Sequence, residues 1–423
     1  MWTEKKLVDL SRLRLRNYAS VFLEKNPFPS IGIPEDNPPL TVDRDTIVLH
    51  FQDVIAHLYQ DGSSTVTVIV GDYGSGKSHL LKVFKHSVNS QLLQLDAPTL
   101  AIYVKSPGRN FLDLLYTAVD DIGKSVLSDY SDKVLSDFIK QSSKKSRYIF
   151  DTKMEEQFSK NDIRVGSLLR SSRFLELFSD IRKERFSNIK HRDLISAFLS
   201  LSHPDYSSIA WQWFQGRSLN KEEKNSIGVD ESLDNSKEAY GLSQSFIELL
   251  HLVGITSIII LVDELEKTFL IPSLARSQFQ DDLRHLIDDN PKNMALFFAI
   301  AIPQWEQLSG EPTALQRRLA GNNYILDKFD KERVRRLIEA YLEIDRTKEF
   351  NEKIAKNRFP HCSPSLSPFD DESVEAILSV TNGKVSDLIG LCRKALDYLI
   401  DHPNDFTEIN KGLVMSLAKK EGL

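Results

Sequence analysis

The sequence predicts an α/β fold with a parallel β-sheet as its core, a large helical insertion, and a helical domain at the C-terminal end. Two apolar runs predict the sheet, one over residues 65–70 and one over residues 255–262. Near-continuous apolar runs of this length, rich in β-branched residues, are typical of parallel strands covered on both faces. From residue 331 onward the pattern is only helical, which predicts the terminal domain.

A glycine-rich loop joins the first strand to an apolar helix. It matches the pattern G-x-x-x-x-G-K-[ST] in full, in the order strand, loop, helix that this phosphate-binding loop requires. Its residues are Gly71, Asp72, Tyr73, Gly74, Ser75, Gly76, Lys77 and Ser78. A glycine-rich turn that matches by chance is the alternative, and the flanking strand and helix disfavour it. The loop therefore predicts a P-loop NTPase core that binds a nucleoside triphosphate.

Each residue type in this loop suits one part of a nucleotide. The glycines let consecutive backbone N–H groups point at the phosphates, and the helix that follows adds its positive dipole end. Lys77 would reach the β- and γ-phosphate oxygens, and the Ser78 hydroxyl would be a ligand of Mg²⁺. His79 follows directly and is counted with these nucleotide-binding residues, although it has no metal-ligand spacing.

The second apolar strand ends in two acids, Asp263 and Glu264. Ligands of open α/β sheets bind at the carboxyl ends of the strands, which is where these acids would lie. Asp263 would hold Mg²⁺ through water, and Glu264 would polarise the attacking water as general base. Alternatively, both acids merely cap the next helix. Because a phosphate loop is also present, we favour a Walker B motif.

The composition excludes several classes of protein. A chain of 423 residues that is 41% hydrophobic can form at least two domains. The formal charge of −6 argues against a protein covered in basic charge, although a local basic face is still possible. Two cysteines cannot form a disulfide framework or a cysteine zinc site. The apolar runs are far shorter than the roughly 20 residues of a membrane helix, so we expect a cytoplasmic protein without membrane contact.

The order of periodic segments predicts the domain organisation. Residues 7–25 have apolar side chains at helical spacing, and a proline-rich connection follows. Helix is predicted over residues 46–58 and strand over residues 99–104. Lys77 and Asp263 are much further apart than one or two βα units of roughly 30 residues would require. A helical insertion is therefore predicted at about residues 111–250.

The second half of the chain continues the sheet and then becomes helical. A helix is predicted over residues 274–288 and a strand over residues 295–302. Four terminal helices are predicted at residues 332–344, 371–380, 385–400 and 407–419. The predicted segments are an N-terminal helix with its connection (1–45), the nucleotide-binding domain (46–330) and the helical domain (331–423).

The insertion contains the densest cationic stretch of the chain, residues 140–147, which includes Lys144, Lys145 and Arg147. Further cations follow at Arg164, Arg170, Arg173, Arg182, Lys183 and Arg185. Such a stretch could follow a nucleic-acid backbone. Acidic residues are interleaved with it, which favours a solvated helical face. Both interpretations remain open.

The order of these features resembles the AAA+ ATPases, and within them the initiator-like branch that includes origin-recognition proteins and transposon-targeting ATPases. Asn26 and Phe28, with residues 42–44, look like the adenine-flanking segment of that branch. Arg318, or its neighbour Arg317, is similar to the arginine finger of that family. The resemblance implies a C-terminal AAA+ lid domain, ATP and Mg²⁺ as cofactors, a homo-oligomer with ATP, and action on DNA.

A narrower resemblance comes from residues 210–217 and residues 249–264. Both segments are similar to the ATP-binding proteins of bacterial phage-exclusion operons of the BREX type. This resemblance implies a role in phage defence together with other proteins of the same system.

Two departures from the AAA+ pattern predict slow hydrolysis. Residues 382–389 resemble the opening of the sensor-2 helix, but Ser386 stands where the family usually has an arginine, and Lys384 could replace it only if the helix start shifts. The sensor-1 position after the strand over residues 295–302 usually carries a polar residue. Here the nearest polar residue is Gln304. Two functions remain open: an ATPase that acts on nucleic acid, favoured by Glu264, and an ATP-gated switch with little turnover, favoured by Ser386.

Overall fold

The computed structural model describes residues 16–30, 38, 41–141, 171–233, 238–310 and 313–422. The chain divides into two compact units. The sheet unit comprises residues 46–71 and 80–325, and the helical unit comprises residues 1–45, 72–79 and 326–423. Each unit has its own hydrophobic core. The domain boundaries expected after residues 45 and 330 remain predictions, because this division also assigns eight residues of the phosphate loop region to the helical unit.

A five-stranded sheet forms the centre of the sheet unit. Its strands are β1 (Thr65–Gly71), β2 (Thr99–Val104), β3 (Ser257–Val262), β4 (Met294–Ile300) and β5 (Asn323–Leu326). Their order across the sheet is β2-β3-β4-β1-β5, and the pairs β2–β3, β3–β4 and β1–β4 are parallel. Every residue of β2, β3 and β4 is buried, which explains their uninterrupted apolar sequences.

The register of the sheet brings the carboxyl ends of β1 and β3 to one edge. Val70 lies opposite Ile300, and Val262 lies opposite Phe298 of the same strand β4. Gly71 and Asp263 therefore end two strands at nearly the same level, with only β4 between them. At the usual spacing of neighbouring strands these two ends are roughly 10 Å apart.

Helices α1 (Asp45–Gln60) and α2 (Lys77–Gln91) cover one face of the sheet. The rings of Phe51 and Phe84 stack with their centroids 3.9 Å apart. Both rings meet Phe297 of β4 edge-on, at centroid distances of 5.3 and 5.8 Å. Aromatic contacts of this kind add to the stability that burial provides, so they help to hold α2 on the sheet.

The regular elements described in the predicted insertion are helices, joined by turns and loops. Its helices are α3 (Phe111–Ile122), α4 (Lys124–Gln141), α5 (Ser171–Arg185), α6 (Arg192–Ser200), α7 (Ser207–Phe214), α8 (Lys221–Ile227) and α9 (Ala239–Leu252). Their apolar side chains join the same core as the sheet. After β3 come a 3₁₀ helix (Leu265–Leu270), α10 (Ser273–Asp289), α11 (Ile302–Gly310) and α12 (Ala314–Leu319).

The helical unit contains α13 (Lys331–Ile344), α14 (Glu352–Arg358), α15 (Asp371–Thr381), α16 (Val385–Asp401) and α17 (Lys411–Glu421). Four of these helices are capped by the side chain of the residue that precedes them, which accepts a backbone N–H of the first turn. The capping residues are Asp330, Asn351, Asp370 and Asn410. Helix α14 was not predicted because it buries only Ala355 and so has no apolar periodicity. Within the described residues, no helix combines the length and apolar character needed to cross a membrane.

The helix predicted over residues 7–25 is wrong in its second half, and residues 7–15 lie outside the described part. A short 3₁₀ helix, Tyr18–Val21, ends at Phe22, whose φ of 60° is left-handed. Backbone hydrogen bonds explain the change. The Glu24 N–H donates to the Asp345 carbonyl at 2.8 Å, and Thr347 donates to Phe22 at 3.0 Å. The segment therefore pairs with residues 345–347 instead of continuing a helix.

Candidate functional site

The glycine-rich loop has the backbone of a phosphate cradle. Gly71 ends β1 and Lys77 begins α2, as the motif requires. Gly74 and Gly76 have φ values of 78° and 98°, in the left-handed region that favours glycine. Successive turns of this kind form concave nests of N–H groups that bind anions. Nothing lies within 4 Å of the position that a Cβ on Gly76 would occupy.

Two buried polar groups of the loop fit a phosphate ligand. Ser75 is 6% exposed, and its Oγ is buried with no hydrogen-bond partner among the described residues. The Lys77 ammonium is buried as well, and it donates to the Asp72 carbonyl at 3.1 Å. Burying a hydroxyl without a hydrogen-bond partner is costly, so a group such as Ser75 Oγ usually has a ligand or water as partner. Ser78 and His79, in the first turn of α2, are half-buried.

A cavity of about 240 Å³ lies beside this loop within the helical unit. It is lined by Asp72, Tyr73, Ser75, Lys328, Gly383 and Lys384. Lys384 is the residue immediately before α16, so the helix start has not shifted to include it. Its Nζ is 3.1 Å from Asp387 Oδ2. Lys328 was not singled out from the sequence, because a lone lysine outside a motif gives no signal.

Ser386 contacts the phosphate loop through its backbone. Its N–H donates to the Gly74 carbonyl at 3.1 Å, and its hydroxyl donates to Asp387 Oδ1 at 3.0 Å. A Cβ on Gly74 would overlap the Ser386 side chain. The residue at the expected sensor-2 position therefore holds the loop but brings no positive charge to it.

Arg44 is a second support of the loop. Its guanidinium donates to the Ser75 carbonyl at 3.0 Å and lies 4.8 Å from the centroid of the Phe329 ring. Burial lowers the pKa of Arg44 to about 10, which still leaves the side chain charged at neutral pH. The sequence placed Arg44 in the adenine-flanking segment, but only the fold shows that it holds the backbone of the loop.

Asn26 and Phe28 are used to build the helical unit. Asn26 Nδ2 donates to Asp397 Oδ1 at 2.7 Å, and its Oδ1 accepts the Phe28 N–H at 3.1 Å. Phe28 is fully buried against Tyr341 and Phe369. The Phe28 ring has no exposed face, and the half-buried Asn26 amide is engaged in hydrogen bonds, so we expect any part they have in adenine binding to be the positioning of the backbone around them.

Asp263 is buried, and both of its carboxylate oxygens accept a hydrogen bond. Oδ1 accepts the Glu264 N–H at 2.9 Å, and Oδ2 accepts the Tyr103 hydroxyl at 2.8 Å. Glu264 has a left-handed φ of 53° and forms an ion pair with Lys267. The alternative interpretation was that these acids cap the next helix. Glu264 is the residue before the 3₁₀ helix, but its side chain makes no capping hydrogen bond.

The end of β4 has a polar residue in an unusual state. Gln304 lies in the first turn of α11, and its Oε1 is buried with no hydrogen-bond partner among the described residues. The neighbouring Ala301 N–H donates to Oε2 of the buried Glu266 at 3.2 Å. Glu266 thus contacts the end of β4 directly, and the sensor-1 role of Gln304 stays a prediction from the sequence.

The two candidate finger arginines differ in their contacts. Arg318 forms two hydrogen bonds with Asp288 of α10, at 3.0 and 3.2 Å. Arg317 is exposed, and its side chain makes no hydrogen bond or ion pair with the described residues. The cationic residues Lys144, Lys145, Arg147, Arg164 and Arg170 lie outside the described residues. No cluster of three His, Cys, Asp or Glu in the described ranges could hold a metal by itself.

Part of the sequence matches a known family model, and the fold is similar to that of solved structures. A family model for the BREX system ATP-binding protein BrxC/D matches residues 201–394. No curated protein sequence matches the chain. The fold is similar to that of the Aeropyrum pernix ORC2 protein, solved as ADPNP–ADP complexes, with a TM-score of 0.50 and 11% identity over 91% of this chain and 69% of that one.

Two further solved structures are more distant. They are the A. pernix ORC1 protein in complex with DNA, with a TM-score of 0.48 and 12% identity, and a Walker-type ATPase of Pyrococcus abyssi, with a TM-score of 0.39 and 11% identity. They cover 94% and 92% of this chain, and 69% and 74% of their own. The similarity to ORC2 confirms the predicted α/β fold with a parallel sheet at its core.

Proposed function

We propose that this chain is a BREX-like AAA+ protein that binds ATP with Mg²⁺, hydrolyses the ATP slowly, and acts in phage defence within a multi-protein assembly. The family match over residues 201–394 and the similarity of the fold to that of ORC2 support this proposal. One observation carries the proposal. The glycine loop has left-handed backbone, a Ser75 hydroxyl without a partner among the described residues, and a buried Lys77. It continues directly from β1, which ends at the same sheet edge as Asp263.

Each residue has a defined role in this proposal. The loop N–H groups and Lys77 bind the phosphates, while Ser78 and the water shell of Asp263 hold Mg²⁺. These oxygen donors suit Mg²⁺, which usually binds through one or two protein groups, phosphates and water. When bound, Mg²⁺ neutralises charge on the β- and γ-phosphate oxygens. Glu264 orients and polarises the attacking water, for which it must first leave Lys267.

Two observations support slow turnover. Glu264 is engaged with Lys267, and Ser386 contacts the phosphate loop without bringing a cation to the phosphates. Lys384 and Lys328 line the cavity beside the loop and are the cations that we propose to face the phosphates. The same contacts favour the second candidate function, an ATP-gated switch that recruits a partner protein with little turnover.

Two substitutions test the proposal. Lys77→Ala removes the charge that meets the phosphates, and we expect ATP binding to be lost. Glu264→Gln keeps the shape of the side chain but removes the base, and we expect tight ATP binding with turnover reduced by about 10²–10⁴-fold. Equilibrium binding of a fluorescent ATP analogue and phosphate release measure the two effects. Parental turnover in Glu264→Gln would show that Glu264 is not the base.

Action on DNA, assembly into a homo-oligomer and contact with other proteins of the same system belong to this proposal as well. The cationic sequence of the insertion supports the DNA contact, since phosphate contacts are the main source of affinity for nucleic acid. Measuring ATP turnover with and without duplex DNA separates the two candidate functions. A DNA-stimulated rate supports the ATPase that acts on DNA, and a negligible rate under both conditions supports the switch.

A further inference from the structure

We propose that Tyr103 is a positioning residue for the Asp263 carboxylate and sets how well that carboxylate holds Mg²⁺. The inference rests on the proposed function, because it concerns the metal side of the same nucleotide site. The Tyr103 hydroxyl donates to Asp263 Oδ2 at 2.8 Å, although the two residues are 160 positions apart. Tyr103 is 8% exposed and Asp263 is 2% exposed.

The register of the sheet produces this contact. Tyr103 of β2 lies opposite Leu261 of β3, and the ladder continues one step further because the Asp263 N–H donates to the Val104 carbonyl at 2.8 Å. Side chains alternate between the two faces of a strand. Tyr103, Leu261 and Asp263 therefore share one face, and the phenol ring spans the diagonal to the carboxylate.

The hydrogen bond gives the carboxylate a single orientation. Its other oxygen, Oδ1, accepts the Glu264 N–H, so the two oxygens are held from opposite sides. A buried carboxylate without such donors would be costly, and a carboxylate held by two donors is already oriented before a metal arrives. Fixing the orientation of a metal-binding group in this way lowers the entropy lost when the metal binds.

Tyr103 is itself held in place by three groups. Its N–H points away from β3, at the edge of the sheet, and donates to Asp121 Oδ2 at 2.7 Å. Lys85 of α2 donates to the other oxygen of Asp121 at 2.6 Å. Lys82, also of α2, places its ammonium 5.6 Å from the centroid of the Tyr103 ring. Both lysines belong to the helix that begins with Lys77.

The same helix also holds β2 at Ala101, two residues before Tyr103. Asn89 Oδ1 accepts the Ala101 N–H at 2.8 Å, and Asn89 Nδ2 donates to the Ala101 carbonyl at 2.9 Å. The amide thus replaces a neighbouring strand at the sheet edge. Because its backbone and ring are both held, Tyr103 can fix the orientation of the carboxylate that accepts its hydrogen bond. A core tyrosine without such a role needs only some acceptor for its hydroxyl, and any acceptor would serve.

The test is the Mg²⁺ dependence of nucleotide binding in Tyr103→Phe. Binding of a non-hydrolysable ATP analogue is measured by calorimetry in EDTA and over a range of Mg²⁺ concentrations. Loss of an outer-shell partner typically weakens metal affinity by 10–100-fold. We expect a rise of about tenfold or more in the Mg²⁺ concentration for half-maximal enhancement, and affinity in EDTA within about twofold of the parent.

Two further variants make the result specific. Tyr59→Phe removes a hydroxyl that donates to the Ala97 carbonyl at 2.9 Å, near the start of β2, and should leave the Mg²⁺ dependence unchanged. Asp263→Asn should abolish it, and adding Tyr103→Phe to Asp263→Asn should have no further effect, because coupled residues are not additive.

Each outcome separates this inference from the proposed function. A parental Mg²⁺ dependence in Tyr103→Phe would overturn the inference alone, and so would equal losses with and without Mg²⁺, since these indicate a purely structural role. A parent chain whose nucleotide binding ignores Mg²⁺ would overturn the proposed function together with the inference.

Discussion

Ser386 holds the phosphate loop without bringing a charge to it. Its backbone N–H donates to the Gly74 carbonyl, and the described residues that line the cavity beside the loop include no arginine. Lys384 and Lys328 are the cations that line this cavity. An ammonium is a compact point charge without the planar fork of arginine, so it can attract a phosphate oxygen but cannot grip two at once.

Arg317 and Arg318 lead to a prediction at the scale of the residue. The sequence favoured Arg318 as a finger toward a neighbouring subunit, but Arg318 is paired with Asp288 while Arg317 has no described partner. We therefore expect Arg317→Ala to lower ATP turnover by on the order of 10³-fold, as loss of a finger does, without weakening nucleotide affinity. Phosphate release and equilibrium binding measure the two quantities.

Arg318→Ala and Asp288→Ala are the matched controls for Arg317→Ala. Exposed ion pairs contribute only about 0.2–1 kcal/mol, so breaking this one should affect stability little. If Arg318→Ala caused the larger loss of turnover, Arg318 would be the finger and its pairing with Asp288 a resting position. A chain that is a strict monomer with ATP and fully active would contradict a finger of either kind.

At the scale of the element, the turn between α15 and α16 sets where the cavity beside the phosphate loop forms. Asn382 and Gly383 both have left-handed φ values, 49° and 70°. The Gly383 carbonyl accepts the Phe329 N–H at 2.9 Å, and a Cβ on Gly383 would overlap the Phe329 carbonyl oxygen. This close approach of two backbones lets Lys328 and Lys384 line one cavity.

Two glycine-to-alanine substitutions test this close approach. Gly383→Ala introduces both strain and overlap, so we expect it to lower the free energy of unfolding by at least about 2 kcal/mol and to weaken ATP binding. Gly390→Ala lies within α16 with nothing within 4 Å of the new Cβ, and should raise stability by about 0.5–1 kcal/mol. Denaturant unfolding compares the two variants. Equal stability of both would show that the Gly383 turn is permissive.

Regular elements were predicted well where their signal is local. Strand β2 was predicted at its observed bounds, and α13, α15 and α16 to within one residue at each end, because apolar periodicity and capping residues mark them. The predicted strand over residues 295–302 ends earlier, at Ile300, because α11 begins at Ile302. The 3₁₀ helix after Asp263 and the strand β5 were not foreseen. Of the four residues of β5, only Leu326 is buried, so its sequence lacks the apolar run of the other strands.

At the scale of the whole molecule, the cationic stretch of the insertion leads to a prediction about DNA binding. Changing Lys144, Lys145 and Arg147 together to Glu tests the predicted DNA contact. If these cations neutralise phosphates, DNA binding should weaken, and the slope of log K against log salt should become less steep by up to about 3. Fluorescence anisotropy with labelled duplex DNA measures the slope, and basal ATP binding should not change.

A charge-matched triple variant provides the control for this experiment. Lys348, Lys353 and Arg358 are exposed residues of the helical unit, and changing them to Glu alters the net charge by the same amount. This control should keep the parental salt slope. If both triple variants lost DNA binding equally, the effect would come from net charge. If the parent bound no DNA at low salt, the insertion would instead serve protein recognition or structure.

The sequence by itself determined the fold class, and it predicted the phosphate loop and the Walker B acids. These features depend on short-range patterns: an apolar strand, glycines that permit left-handed backbone, and an acid at a strand end. The BREX-like resemblance also rested on contiguous segments, residues 210–217 and 249–264, and a family model matches residues 201–394, which contain both of them in full. Such features can be predicted from the sequence because they depend on residues close together in the chain and not on tertiary contacts.

Only the tertiary structure decided which distant residues meet. The contacts of Tyr103 with Asp263, Arg44 with Ser75, and Ser386 with Gly74 join residues far apart in the chain. Phe28 shows the same limit in reverse, since an aromatic residue suited to adenine is fully buried in a core. Strand order, register and packing fix these partners. They are collective properties of the folded chain, and no local pattern of residues encodes them.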